Sequence, residues 1–267
     1  MTYQLIDSGD GKKLERFGEA LLIRPSAQAL WEPQDPEEWK KADASFSREG
    51  GWRMHRKLPE SWVVDLDGIK LKAELTDFGH VGIFPEHAQL WTPVRPLIKK
   101  GMRILNLFAY SGSATLAAAQ QHAEVCHVDA SKGMVQWARE NAKLNHLEKA
   151  PIRWIVEDVK KFLVREQKRK SFYEGIILDP PTFGRGSKGE VFKIEKDLIP
   201  LLRLCKDILS REALFVILSC HTPGFTPLVL KQVMQQIFEG ELEEGEMFLS
   251  GKKFQIPSGN YCIWFKR

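Results

Sequence analysis

The sequence predicts an α/β fold, in which a small β-rich subdomain precedes a doubly wound, mainly parallel sheet. From residue 86 onward, short apolar runs typical of buried strands alternate with helical segments. The first 80 residues instead show strand pairs around Asp-Gly turns. We therefore expect a β-rich N-terminal subdomain over residues 1–80 and a larger α/β domain over residues 81–267.

Two β-hairpins are predicted in the N-terminal subdomain. The first lies within residues 3–24 and turns at Asp10-Gly11, and the second joins residues 62–65 to 69–75 through an Asp-Gly pair. Residues 31–60, which carry prolines and many charges, are expected to form loops. Five of the eight tryptophans precede residue 92. They favour a packed core for this subdomain, and the alternative is a stacking surface for nucleic-acid bases.

The sequence of the larger domain predicts strands that alternate with helices. Helices are expected at 87–100 and 134–147, and strands at 104–108, 123–128, 152–156, 176–178 and 214–218, followed by antiparallel edge strands near 245–249 and 260–266. In such a sheet the ligand crevice lies at the carboxyl ends of the strands.

Composition narrows the class of protein. No apolar run approaches the roughly eighteen residues of a membrane helix, and the N-terminus lacks a signal-peptide core, so a cytoplasmic protein without membrane contact is predicted. The four cysteines are scattered without a CxxC pair, which predicts neither disulfides nor a metal site. The net charge is +4, and basic runs at 48–57, 159–170 and 184–196 permit a polyanionic partner. The oligomeric state is not defined by the sequence.

Two strand ends predict a nucleotide-like cofactor. The first strand breaks into the glycine turn Ala109–Ser113, which opens a helix of small residues. The second strand ends in Asp129, about twenty positions later, where an acidic side chain is placed to bind ribose hydroxyls. A glycine turn alone also fits an ordinary strand-to-helix connection, and the pair of features favours the cofactor.

The segment Asp179–Phe183 (DPPTF) follows the fourth strand and predicts a base-binding rim. Pro180 and Pro181 lack N–H donors, so the Asp179 carboxylate and the nearby carbonyls act as hydrogen-bond acceptors. This suits a planar base that presents amino hydrogens, with Phe183 stacked on its face. A rigid turn without a ligand is the alternative.

The following loop, residues 184–193, is basic and rich in glycine. Arg185 and Lys188 are candidates for contacts with nucleic-acid phosphates, and a plain flexible connection explains the composition equally well.

Taken together, NLFAYSGSATLAAA with Asp129, EDV at 157–159 and LDPPTF at 178–183 resemble class I S-adenosylmethionine-dependent methyltransferases, most closely the bacterial enzymes that modify large-subunit ribosomal RNA. The resemblance covers about residues 75–230. It implies a Rossmann-like methyltransferase sheet, S-adenosylmethionine as cofactor and RNA, in particular ribosomal RNA, as partner. The RNA-binding PUA domain usual in the cytosine-modifying members is not recognisable, so residues 1–80 are the candidate for substrate recognition.

The resemblance also implies roles for individual residues. Asp129, with Ala130 beside it, would hold the ribose, Asp158 the adenine amino group with Val159 near the ring, and Asp179 would face both the methyl donor and the target base. Phe84 would pack over the cofactor. The methionine portion would lie against the turn after the first strand, whose candidate residues are Asn106, Phe108, Tyr110, Ser111 and Gly112.

The methyl-accepting atom depends on Cys220. Ser219-Cys220-His221 resembles the motif of cytosine-C5 RNA methyltransferases, in which a thiolate adds to C6 and makes C5 nucleophilic. His221 is a candidate to assist deprotonation of the thiol. The other interpretation of Cys220 is a small buried residue at a strand end.

Several alternatives stay open. The same motifs are similar to guanine-N7 methyltransferases, which need no cysteine, and an exocyclic amino group is a further possible acceptor. Since the fold does not define a substrate, methylation of a protein or small molecule, or cofactor binding without turnover, are also considered.

Overall fold

The computed structural model describes residues 2–186 and 189–266 of the chain. The chain divides into two compact units. The first unit extends to Glu86 and includes Phe248–Ser258, and the second comprises His87–Met247 and the chain from Gly259 onward. The sequence predicts a division into residues 1–80 and 81–267, which places residues 81–86 and 248–258 in the larger domain, whereas in the structure they group with the first unit.

The first unit is built of two sheets. Five strands are ordered β1-β2-β3-β4-β5, and β6 pairs with β7 in a separate hairpin. These elements are β1 (Tyr3–Gly9), β2 (Lys12–Phe17), β3 (Ala20–Pro25), helix α1 (Pro36–Trp39), β4 (Ala44–Ser47), β5 (Gly51–Met54), β6 (Trp62–Leu66) and β7 (Ile69–Ala73).

Both predicted Asp-Gly hairpins are present. Asp10 and Gly11 connect β1 to β2 with φ values of 50° and 71°, and Asp67 and Gly68 connect β6 to β7 with 53° and 78°. Two consecutive positive φ values define the type I′ turn, whose twist matches that of paired antiparallel strands. The dipeptide therefore determines the register of each hairpin.

The expectation of loops over residues 31–60 is wrong in part, because β4 and β5 lie there as an antiparallel pair. Each strand has only four residues, and Ala44 is the one fully buried position in the pair. Short strands that bury so little leave no apolar run for sequence analysis to detect.

The centre of the first unit holds a buried ion pair. Glu15 on β2 is inaccessible to solvent and accepts two hydrogen bonds from Arg24 on β3, at 2.7 and 2.9 Å. The hydroxyl of Tyr3 donates a third at 3.0 Å. Burial raises the pKa of the Glu15 carboxyl, but Arg24 and Lys13 oppose it strongly enough to lower the pKa to about 2. Glu15 is therefore charged at neutral pH.

The N-terminal tryptophans have their indole N–H groups bonded within this unit, which favours the core interpretation over a stacking surface. The pairs are Trp31 with Ser8, Trp39 with Asp7, Trp52 with the carbonyl of Thr76 and Trp62 with the carbonyl of Phe17.

The second unit is the predicted α/β sheet with its helices. Its elements are α2 (Ala88–Val94), β8 (Arg103–Leu107), α3 (Ser113–Ala119), β9 (Glu124–Asp129), α4 (Lys132–Leu144), β10 (Ile152–Val156), α5 (Val159–Arg169), β11 (Gly175–Leu178), β12 (Phe183–Arg185), β13 (Val191–Lys193), α6 (Ile194–Asp207), β14 (Phe215–Cys220) and α7 (Pro227–Gln235), and the chain continues into β15 (Glu241–Ser250) and β16 (Gln255–Phe265).

Strand order creates a topological switch point at the sheet edge where the sequence predicts ligand binding. The order is β10-β9-β8-β11-β14-β16-β15. The first five strands in this order are parallel to one another, and β16 is antiparallel to β14. The chain builds outward from β8 to β10 and then returns to the other side of β8 with β11. The carboxyl ends of β8 and β11 therefore form a topological switch point, where doubly wound sheets bind ligands.

Alternating side chains of the sheet pack into two cores. On β8, Leu105 and Leu107 join a cluster with residues of α5, α6 and α7, whereas Ile104 joins a cluster with residues of α2 and α3. Successive strand residues thus face helices on opposite sides of the sheet, as expected for a doubly wound sheet.

The predicted helix at 87–100 is shorter than expected. α2 ends at Val94 and passes into a 3₁₀ turn over Arg95–Leu97, because Pro93 and Pro96 lack the N–H that a continuous helix requires. Within the described part of the chain, no helix combines the length and apolar character needed to cross a bilayer.

Candidate active site at the strand ends of the second unit

The turn after β8 has an unusual backbone. Phe108, Tyr110 and Gly112 have φ values of 53°, 50° and 88°. A non-glycine residue in the left-handed region costs about 1 kcal/mol or more, and such strain persists where the surrounding structure and function require it. The turn is thus held in a defined shape where the switch point begins.

Gly112 is required by packing as well as by its φ. A Cβ at this position would lie 2.8 Å from the Cβ of Ala138 on α4. Any side chain would therefore push α3 and α4 apart at the start of α3.

Asp129 ties the end of β9 to this turn. Its Oδ2 accepts a 2.9 Å hydrogen bond from the main-chain N–H of Tyr110, and its Oδ1 accepts one of 2.8 Å from Ser131. Burial raises the pKa of Asp129, and the two N–H donors partly oppose this effect. A carboxylate has about four acceptor positions, so two are left for the hydroxyls of a ribose.

Asp158 and Val159 follow β10 but face different surroundings. The Asp158 carboxylate accepts from the N–H of Lys161 at 3.0 Å and caps the N-terminus of α5. Val159 is buried in the core on the α5 side of the sheet. The cap fixes the position of Asp158 at the rim of the sheet.

Asn106 lies inside the second unit, where it is 4% exposed. Its amide nitrogen donates to Oγ1 of Thr115 at 3.0 Å, and the same oxygen lies 2.9 Å from Nδ1 of His127. Burial lowers the pKa of His127 to about 3, so the imidazole is neutral. The amide nitrogen of Asn106 thus joins a buried polar cluster behind the turn.

The end of β11 carries the second candidate carboxylate. Oγ of Ser219, from β14, donates a 2.7 Å hydrogen bond to Oδ1 of Asp179. Nε2 of His87 lies 3.5 Å from Oδ2, and Nε2 of His221 lies 3.7 Å from Oδ1. The two imidazoles approach each other with 3.0 Å between their Nε2 atoms.

The DPPTF segment leaves this rim and enters the β12–β13 hairpin. Thr182 is linked to Thr222 by a 2.7 Å hydrogen bond between their hydroxyls. Pro180 is buried, whereas Pro181 is exposed.

The ring of Phe183, on β12, is 49% exposed, and the Arg185 guanidinium lies 5.7 Å from its centre. An exposed aromatic ring beside a cation is suited to contacts with bases and phosphates. Lys188 falls outside the described residues.

Cys220 lies at the last position of β14, where its side chain has no solvent exposure. Its Sγ accepts a 3.4 Å hydrogen bond from the N–H of Thr222, and the residue belongs to the core cluster on the α5 side of the sheet. Burial raises the pKa of the Cys220 thiol, and the Asp179 charge raises it further despite the Thr222 bonds. The thiolate that a covalent mechanism requires is disfavoured in these surroundings.

The structure thus brings together the turn 108–112 and Asp129, and it places Asp179 near Ser219 and His221. Phe84 belongs to the first unit, where its ring packs 5.4 Å from that of His80. His87 is a site residue that sequence reasoning missed. No spacing rule connects it with Asp179, although it follows the HVGIFPE segment whose Phe84 the family resemblance links to the cofactor.

A glycine turn after the first strand of a doubly wound sheet, with a carboxylate at the end of the next strand, is typical of enzymes that bind a nucleotide-like cofactor at the switch point. The family model for S-adenosylmethionine-dependent methyltransferases matches residues 48–233, and the chain belongs to this family. S-adenosylmethionine is therefore its cofactor.

Relatives with solved structures agree with this assignment. A crystal structure of an S-adenosylmethionine-dependent methyltransferase from Agrobacterium tumefaciens has a TM-score of 0.95 and 38% identity, and the match covers 100% of this chain and 91% of that one. A candidate methyltransferase solved in complex with SAH has a TM-score of 0.78 and 22% identity, covering 98% of this chain and 75% of that one, and shows the same fold.

Among curated proteins, the ribosomal RNA large subunit methyltransferase K/L of Marinobacter nauticus is 30% identical over 263 residues. The match covers 95% of this chain and 34% of that protein. The chain spans about a third or less of the length of the curated relatives that it matches.

Proposed function

We propose that this protein transfers the methyl group of S-adenosylmethionine to a base nitrogen of RNA, with ribosomal RNA as the substrate class. The observation that carries the proposal is the bond from Ser219 to Asp179, which orients a carboxylate at the switch point beside two prolines. The names of the curated relatives, which are ribosomal RNA methyltransferases, support the choice of RNA.

In this proposal the cofactor lies across the ends of β8 to β10. The turn from Phe108 to Gly112 holds the methionine portion, and the two free acceptor positions of Asp129 receive the ribose hydroxyls. Asp158, fixed by its cap on α5, accepts from the adenine amino group with Ala130 and Val159 nearby. The donor's sulfonium methyl would then face the end of β11.

The methyl-accepting base occupies the rim formed by Asp179 and the segment after it. Asp179 accepts hydrogen bonds from the base, because Pro180 and Pro181 offer no N–H that would compete for its oxygens. The exposed ring of Phe183 stacks on the base, and Arg185 contacts a phosphate. The target base reaches this rim by flipping or from an unpaired segment.

A nitrogen acceptor is favoured over cytosine C5 by the environment of Cys220. Attack on C6 would require the thiolate to leave the core and reach a base, whereas the thiol is fully buried with a raised pKa. A ring nitrogen or an exocyclic amino group carries its own lone pair and needs no such nucleophile. Guanine N7 and the exocyclic amines are the two classes that remain under this proposal.

The first unit is proposed to contribute RNA recognition. Arg53 and Lys57 are exposed near the end of β5, and basic side chains of this kind bind phosphates without sequence preference. The tryptophans of this unit are not part of the proposed surface, because their indoles are bonded internally.

The test is to incubate the purified protein with methyl-labelled S-adenosylmethionine and unmodified ribosomal RNA, and to identify the labelled nucleoside by mass spectrometry. The expected product is 7-methylguanosine or an N-methylated amino nucleoside. Label in 5-methylcytidine would overturn the nitrogen assignment and restore the Cys220 mechanism. Label in protein fractions but in no nucleoside would refute RNA as the substrate.

A further inference from the structure

Three metal-ligating side chains meet in the second unit. His87, Asp179 and His221 each offer one ligand atom, and these atoms lie within 4.8 Å of one another. We call this set the His–Asp–His cluster. Two histidines with one carboxylate recur in proteins as a set that binds divalent transition metals.

The separations are close to those of a metal coordination sphere. Ligand atoms held about 2.0–2.1 Å from a tetrahedral zinc ion lie about 3.4 Å from one another. In the cluster the two Nε2 atoms are 3.0 Å apart. Nε2 of His87 lies 3.5 Å from Oδ2 of Asp179, and Nε2 of His221 lies 3.7 Å from Oδ1, so the two histidines approach different oxygens of one carboxylate. With one ligand atom taken from each residue the three atoms lie within 4.8 Å of one another, so side-chain shifts on the order of 1 Å would bring them onto one ion.

The cluster is positioned by regular elements of the unit. Asp179 and His221 directly follow β11 and β14, which are paired in the sheet with Leu178 opposite Leu218. His87 ends a 3₁₀ turn and occupies the N-cap of α2. Ligands supported in this way need little reorganisation to receive an ion.

A hydrogen bond from a residue outside the cluster also orients one of its ligands. Ser219 donates to Oδ1 of Asp179 at 2.7 Å, which fixes the carboxylate plane. Groups that orient metal ligands typically bond to them from behind in this manner. The side chains of His87 and His221 are 15% and 36% exposed, so an ion could reach the cluster from solvent.

We propose that His87, Asp179 and His221 bind one divalent transition-metal ion of the zinc class. Two imidazoles favour Zn²⁺, Co²⁺ or Ni²⁺ over Mg²⁺, which prefers oxygen ligands. Binding through both Nε2 atoms requires the imidazole that donates their hydrogen bond to carry its proton on Nδ1 instead, so that both rings bind the ion as neutral imidazoles. Sequence patterns do not indicate the site, because its members are 92 and 42 residues apart and none is a cysteine.

The experiment is a titration of tag-free protein with Co²⁺, followed by its visible absorption and by competition with Zn²⁺. We expect one equivalent to bind, and either His87→Ala or His221→Ala to weaken binding by about a hundredfold. The matched control is His55→Ala, since His55 is exposed and lies in the first unit. Ser219→Ala keeps all three ligands and is expected to weaken binding by about tenfold.

Absence of a saturable Co²⁺ spectrum in the wild-type protein would overturn the proposal. The same conclusion follows if His55→Ala weakens binding as much as His87→Ala does. Circular dichroism shows whether each variant is folded. Because Asp179 is also the carboxylate proposed to contact the RNA base, the titration is done without RNA, and its outcome is independent of methyl transfer.

Discussion

The main-chain N–H of Tyr110 donates a 2.9 Å hydrogen bond to Oδ2 of Asp129, so the side chain that ends β9 holds the strained turn that follows β8. One residue thereby connects two neighbouring strand ends. The same carboxylate fixes Ser131 at the N-cap of α4 through its other oxygen. Loss of its charge should therefore alter the shape of the cofactor site as well as its contacts.

Asp129→Asn is expected to weaken S-adenosylmethionine binding by about ten- to a hundredfold, because hydrogen bonds to a charged acceptor contribute about 1.5–3 kcal/mol. Asparagine keeps one oxygen acceptor but replaces the other with an N–H donor, which faces a donor from the main chain. Isothermal titration calorimetry measures the effect. Asp197→Asn is the control, since Asp197 lies on α6 and pairs with Lys160. Equal affinities in the Asp129 variant and the wild type would contradict the assignment.

Gly112→Ala is expected to destabilise the protein by about 2–4 kcal/mol, through a left-handed φ and a clash with Ala138. Gly101→Ala isolates the first effect, because Gly101 has a φ of +82° and nothing within 4 Å of its added Cβ. That control should lose only about 1 kcal/mol. Urea unfolding compares the two variants, and equal losses would show that α4 yields to the new methyl group.

Cys220→Ala is expected to retain methyl transfer within a few-fold of wild type, because a nitrogen acceptor needs no thiolate. Stability should fall by about 1–2 kcal/mol, since the thiol is buried and accepts from Thr222. Cys262→Ala is a suitable control, as Cys262 is equally buried and lies opposite Leu218 in the sheet. An inactive Cys220 variant with normal cofactor affinity, beside an active Cys262 variant, would support the C5 mechanism instead.

Much of this arrangement could be predicted from the sequence, for identifiable reasons. The strands β8, β9 and β10 are short, largely apolar runs, so sequence analysis locates them within a residue or two. Because these strands and β11 are parallel, Asp129 and Asp179 are then expected at the same edge of the sheet, where the carboxyl ends of the strands lie. β4 and β5 could not be found, because each is four residues long and only one residue of the pair, Ala44, is fully buried.

Side-chain direction was harder to predict than strand position. Asn106 lies on the expected strand, but strand alternation turns its amide toward Thr115 behind the turn. Cys220 follows the same rule and lies with Val216 and Leu218 in the core on the α5 side. His87 and His221 meet only through the tertiary fold, and local sequence contains no signal for such a contact.

The lowered pKa of the buried His127 side chain leads us to expect a loss of stability at mildly acidic pH. Its pKa is about 3 in the folded chain, below the ordinary value of 6.5, because burial disfavours the imidazolium. The stability that depends on its neutral form is therefore complete above pH 6.5 and is lost progressively as pH falls toward 3. Between pH 6.5 and pH 5 the loss is about 2 kcal/mol.

The check is urea unfolding at a series of pH values for the wild type and His127→Gln. The variant has no imidazole, so its stability should be lower at neutral pH but flat between pH 6.5 and 5. A wild-type curve that stays flat in this interval would show that His127 is protonated in the folded state. His122→Gln, which alters an exposed histidine, controls for the general effect of losing one titrating group.

The lowered pKa of Glu15 leads us to expect a second loss of stability, at more acidic pH, that originates in the first unit. Its pKa of about 2 lies below the ordinary 4.5 because Arg24 and Lys13 overcome the effect of burial. The resulting stabilisation is present above pH 4.5 and is lost as pH falls through 2, an interval worth about 3 kcal/mol. Glu15→Gln should abolish this dependence and cost about 3–5 kcal/mol at pH 7, since it leaves the Arg24 charge buried without its partner.

Replacing both partners of the ion pair distinguishes the effect of an unpaired charge on stability from the effect of altered packing. Glu15→Leu combined with Arg24→Met removes the two charges together, and it should recover most of the stability that Glu15→Gln loses, because apolar pairs of similar volume often match buried ion pairs. Unfolding is followed by tryptophan fluorescence, since Trp62 bonds to the carbonyl of Phe17 on the same strand as Glu15. If the double variant is as unstable as the single one, the loss comes from packing around Tyr3 rather than from an unpaired charge.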